Sequence, residues 1–163
     1  MSAKAQGPGL EYAVKANYLY KLGPFVVWPT GAFAGPDAPF NVCVVGSDPF
    51  GKALDDAVRG QTVGGHPVAV RRLQQVTKET DCHVLYLGRA GPQKPAEVLR
   101  LLRDAPVLTV TDQQQGVEGG IVHFVLRSGR VRFAIDPQAA QASGLVFSSK
   151  LLGLAIAPVR GGP

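Results

Sequence analysis

Gly46-Ser47-Asp48-Pro49-Phe50-Gly51-Lys52 sets two glycines and a lysine at the spacing of a phosphate-binding loop, between a strand-like run and a helix-like one. A working loop of that kind cradles phosphates on consecutive N–H groups and follows its lysine with a Ser or Thr that binds magnesium. Here Ala53 takes the hydroxyl position, Pro49 removes a donor, and Asp48 brings a negative charge to the phosphates. Nucleotide hydrolysis is therefore not expected, although Asp112, after the apolar run Val107 to Thr111, mimics a magnesium-binding carboxylate. A helix N-terminus still favours an anion, so a mononucleotide or phosphate module on Gly46 to Lys52 is the alternative reading. The plainer one is a tight turn, with Asp48 as cap and Phe50 packed down. Ser47, Asp48, Arg89 and Asp112 each follow the end of an expected strand, where open parallel sheets gather ligands, and are the candidate contacts.

Other reactive groups are sparse. His66, His83 and His123 are far apart, and only Cys82 beside His83 offers a second soft ligand, so no metal or other cofactor is expected. No serine elbow and no acid–base pair of carboxylates stands out, which argues against an enzyme. Cys43 and Cys82 fall on strands that neighbour each other in the usual winding. A bond there would close a loop of about 40 residues and add about 4 kcal/mol in an oxidising compartment; two buried thiols are the alternative. Trp28, before Pro29, is either a core residue or an interface anchor.

These groups need a scaffold, and the periodicities supply one. Leu10, Val14, Tyr18 and Leu22 recur at helical spacing, which predicts an amphipathic helix over Glu11 to Leu22, stopped by Gly23-Pro24. A Pro- and Gly-rich loop, 29 to 39, leads to a buried strand, Phe40 to Val45. Lys52 to Arg59 reads as a helix, Val68 to Leu73 and Cys82 to Leu87 as strands, Pro95 to Arg103 as a helix, and Val107 to Thr111 as a strand. Ile121 to Leu126 and Val131 to Ile135 flank Arg127-Ser128-Gly129-Arg130 as a hairpin with Gly at the turn. Asp136 caps a short helix from Pro137 to Gly144, and Ser148 or Ser149 caps a last one that Pro158 ends. The expected fold class is α/β: a mostly parallel central sheet with Rossmann-like winding, helices on both faces and an antiparallel C-terminal hairpin. Residues 1–163 form one expected domain, with loose tails at 1–9 and 158–163.

The 163 residues are 45% hydrophobic and 18% charged, an ordinary globular composition with no apolar run long enough to span a membrane. A net charge of +5 suits acidic partners, but no basic arm or recognition motif points to nucleic acid. Met1-Ser2-Ala3-Lys4 lacks a secretory core, which leaves a cytoplasmic chain or a mature form without its signal peptide.

Several segments resemble, in order, the YfiR family. They are Tyr12-Ala13-Val14-Lys15-Ala16 with Tyr18-Leu19-Tyr20, Val42-Cys43-Val44-Val45-Gly46 with Asp48-Pro49-Phe50-Gly51, Cys82-His83-Val84-Leu85-Tyr86-Leu87, and Gly119-Gly120-Ile121-Val122-His123-Phe124. Gly129-Arg130-Val131-Arg132-Phe133-Ala134-Ile135 and Gly144 to Ala155 complete the set, over about residues 11 to 157. The resemblance implies a periplasmic, non-enzymatic repressor that binds the periplasmic domain of a membrane diguanylate cyclase and so controls cyclic di-GMP and biofilm formation. It also implies relief by an outer-membrane lipoprotein or by redox change, a homodimer, and a Cys43–Cys82 disulfide bond. Ser148, Ser149 and Lys150 fall where relatives bind small ligands. His123 and Asp136 depart from the family, which tends to have asparagine at both positions.

Overall fold

A computed structural model describes residues 8–156. The expected ends and the stop at Pro158 lie outside it, except Pro8 and Gly9, which open the first helix. In chain order the elements are α1 (Pro8–Lys21), β1 (Val26–Val27), β2 (Phe40–Val45), α2 (Lys52–Val58), β3 (Thr62–Val63), β4 (His66–Leu73), β5 (Val84–Leu87), α3 (Pro95–Leu101), β6 (Leu108–Asp112), β7 (Val122–Arg127), β8 (Arg130–Ile135), α4 (Pro137–Ala142), β9 (Val146–Phe147) and α5 (Ser149–Leu154).

Seven strands form one sheet in the order β3-β4-β2-β5-β6-β7-β8. The four inner pairings, from β4/β2 to β6/β7, are parallel; β3/β4 and β7/β8 are antiparallel, so the sheet is mixed. The Rossmann-like winding expected from the sequence is not what forms at every step. Only the β2–β4 and β5–β6 crossovers carry an α-helix, while β4 reaches β5 through a loop and β6 reaches β7 through a single 3-10 turn. Those two links are short of apolar residues at helical spacing and lay single side chains on the core, such as Val76 from the first and Val117 and Ile121 from the second. A second sheet, which the sequence did not announce, pairs β1 with β9 antiparallel, Val26 opposite Phe147 and Val27 opposite Val146.

Central strands are legible because both faces are covered. All six residues of β2 and all four of β5 are buried, which is why they read as unbroken apolar runs. One face, with Val42, Val44, Tyr86, Val110 and Phe124, packs on α1 and α2; the other, with Cys43, Val45, Leu85 and Leu87, packs on Val98 of α3 and on Leu102 just past its end. The hairpin turns on Ser128 (φ 54°) and Gly129 (φ 75°), successive left-handed residues that match the twist of β7 and β8.

The first helix keeps only part of its expected buried face: Tyr18 and Leu22 pack on the core, and Leu10 and Val14 do not. Leu10 is 47% exposed and Val14 is 37% exposed, whereas Lys15, Ala16 and Leu19 are fully buried. The helix is rotated so that a lysine faces the sheet, a choice that only a buried counter-charge can stabilise.

Candidate functional site

That counter-charge is Asp112, the last residue of β6. Lys15 Nζ lies 2.8 Å and 2.9 Å from its two carboxylate oxygens, and neither side chain has any exposed surface. The lysine also pairs with Glu11, one turn earlier, and lies 4.5 Å above the ring of Tyr12. The Tyr86 hydroxyl donates to Asp112 Oδ2 at 2.6 Å, and the Gln114 N–H to Oδ1 at 3.0 Å. Burial pushes the Tyr86 phenol far above its usual range and the Asp112 charge adds to the shift, so it stays a donor. Asp112 thus bolts α1 to the sheet and caps the turn after β6. Sequence reasoning missed Lys15, Glu11 and Tyr86; the one local signal was the Glu11/Lys15 spacing of four, common on any solvated helix.

The phosphate-like loop is engaged internally. Asp48 Oδ1 accepts from the N–H groups of Phe50 (2.8 Å) and Gly51 (3.3 Å), and Oδ2 takes Arg72 Nε at 2.7 Å. Arg72 also forks onto Asp55 and donates to the Gly51 carbonyl oxygen, while Phe50 is buried against Tyr12 and Tyr86. Its hydrogen bonds to Asp55, then to Asp48, hold the Arg72 guanidinium firmly charged, and the same bond lowers the Asp55 carboxyl. Ser47 rests so close to Gly88 that a Cβ there would meet the Ser47 carbonyl oxygen at 1.9 Å. Ser47 Oγ accepts from the Ala90 N–H, and Arg89 Nε donates to the Gln115 carbonyl oxygen at 3.0 Å. The four candidates do border one end of the sheet, but the Asp48 carboxylate is taken up by its own loop and by Arg72, and that of Asp112 is buried.

Ser148, Ser149 and Lys150 open α5. Ser148 Oγ accepts from the Leu151 N–H at 3.2 Å, as a helix cap does; Ser149 and Lys150 are exposed. Asp136 caps α4 in the same way, and His123 Nδ1 meets Thr111 Oγ1 at 2.8 Å.

Cys43 and Cys82 are bonded, their Cα atoms 5.9 Å apart. The sulfurs meet because Cys82 lies in the turn before β5, which begins at Val84, rather than in the strand itself. Trp28 is half-buried, edge-on to Phe40 and His83, with its indole N–H directed at the Gly23 carbonyl oxygen. Among the described residues no three His, Cys, Asp or Glu side chains converge as a metal site would need, and no helix is long and apolar enough to cross a membrane.

His83 is clamped in its neutral form: Nδ1 accepts from the Asn41 N–H at 3.0 Å, and Nε2 donates to the Ala32 carbonyl oxygen at 2.8 Å. Burial lowers its pKa below the ordinary value, only partly offset by the bond to Ala32. The unfolded chain therefore binds the proton more readily. The stabilisation is complete above about pH 6.5, the unfolded value, and is lost as pH falls toward the lower folded one. Urea midpoints should drop on acidification below that point, and His83→Gln should flatten the drop; an unchanged slope would place the sensitivity elsewhere.

A family model described as YfiR/HmsC-like matches residues 12–156. No curated protein matches the chain.

Proposed function

The chain belongs to the YfiR/HmsC-like family, and from that membership we propose that it is a periplasmic repressor that binds the periplasmic domain of an inner-membrane diguanylate cyclase and holds its cyclic di-GMP output down. The family is one of periplasmic regulators of such cyclases, and the match over residues 12–156 is the observation that carries the reading.

The chemistry of the fold agrees with regulation by contact. Its fully buried polar side chains Lys15, Asp112 and Tyr86 are consumed in holding α1 to the sheet. The surface instead offers apolar side chains. Val27 (65% exposed) and Val146 (60% exposed) stand opposite each other on the small sheet, with Leu152 and Leu154 exposed on the adjoining α5. Exposed apolar side chains, where they lie together, can form a docking face. The disulfide bond suits an oxidising compartment.

Deletion of the gene in its host should raise cyclic di-GMP and biofilm, and restoring the chain should reverse both. Levels that stay unchanged on deletion, in a host whose cyclase is expressed, would refute the repressor reading.

A further inference from the structure

β8 closes one end of the large sheet, and its outer edge is only half covered. The Ile156 N–H donates to the Phe133 carbonyl oxygen at 2.9 Å, in a parallel bridge that sets Ile156 beside Ala134. Phe133 thus turns its main-chain groups outward, and by the alternation of an antiparallel strand so does Val131. Val131 has no main-chain partner on that side among the described residues.

Beside this open stretch lies a cleft of about 560 Å³ between α1, β8 and α5. Tyr18, Phe25, Leu151 and Leu154 give it apolar walls, and Lys21, Arg130 and Arg132 stand at its rim. All three cations are exposed, and none forms an ion pair among the described residues.

Charged residues on an edge strand commonly serve only to prevent pairing with other chains. A second copy adding along β8 would set arginine against arginine, whereas a segment with carboxylates at alternate positions would find a cation for each. An open strand edge takes an extended chain rather than a helix.

We propose that the Arg130–Arg132 edge and its cleft dock an extended acidic segment of a partner protein. The segment adds to β8 as a further strand, places apolar side chains in the cleft on the Val131 and Phe133 face, and sets its carboxylates beside Arg130 and Arg132 on the other. This goes beyond the repressor reading and does not require the partner to be a cyclase.

Calorimetry on the purified full chain tests it with a synthetic peptide of roughly eight residues alternating glutamate and valine. Saturable binding is expected, weakening with salt and falling about tenfold or more in Arg130→Glu/Arg132→Glu, a surface double variant whose fold circular dichroism verifies. N-methylation of the peptide along its pairing edge should abolish binding, and a lysine–valine peptide should not bind. Absence of binding by the acidic peptide, equal binding by the double variant, or equal binding of the N-methylated peptide would overturn the proposal. So would a wild-type dimer that the double variant loses, since a second copy would then occupy the edge.

Discussion

Lys15→Met should be among the most destabilising single substitutions in this protein, costing about 3–5 kcal/mol, as expected when one member of a buried ion pair is removed. It leaves the Asp112 carboxylate with no exposed surface and Glu11 close by, two negative charges without their shared cation. For a chain of this size that loss lowers the melting temperature by about 6–20 °C. Asp112→Asn should cost less, about 1.5–3 kcal/mol, because Lys15 keeps Glu11 and the amide oxygen still accepts from Tyr86. The order of the two variants is the informative result. Equal and small losses in urea denaturation would mean that water reaches the pair and that α1 is held by its apolar contacts alone.

Removal of the Cys43–Cys82 bond by Cys43→Ser/Cys82→Ser should cost about 2–5 kcal/mol. The bond closes a separation of 39 residues, and both sulfurs lie in the core beneath α3, with Cys43 fully buried and Cys82 5% exposed. The polar hydroxyls left behind would be buried among Val45, Leu85 and Val98, so Cys→Ala replacements should recover part of the loss. Burial also predicts that a thiol reductant acts slowly on the native state and quickly once denaturant opens the chain. Mass-spectrometric trapping of thiols over time checks this, and prompt reduction in native buffer would contradict it. Material made in a reducing cytoplasm should be correspondingly less stable until oxidised.

The two effects differ in how far they were legible. The cysteine pairing was open to inference because both residues sit in apolar runs of neighbouring strands, and the resemblance favoured the bond. Its geometry was not, since Cys82 had to leave the strand for the sulfurs to meet. The lysine pair gave no such sign. Of the stripe Leu10, Val14, Tyr18 and Leu22 read from the periodicity of α1, Tyr18 and Leu22 do pack on the core, but Leu10 and Val14 are exposed and Lys15, Ala16 and Leu19 face the sheet instead. Asp112 was singled out as a possible ligand contact, and in the structure its oxygens serve Lys15, Tyr86 and the following turn.

By itself the sequence determined the existence of the long elements, the buried central strands, the hairpin over Arg127 to Arg130, the cap at Asp136 and a cap at Ser148 or Ser149. Each is set by neighbours within a few residues, where hydrophobic period, turn chemistry and capping act. Tertiary structure alone decided the rotation of α1, the pairing of two-residue β1 with β9 and the open edge of β8. These depend on partners far away in the chain: Lys15 meets Asp112 across 97 positions, and Val27 meets Val146 across most of the molecule. No local pattern encodes such a meeting, because it is fixed by the order in which strands enter the sheet and by the cost of burying a charge without its opposite.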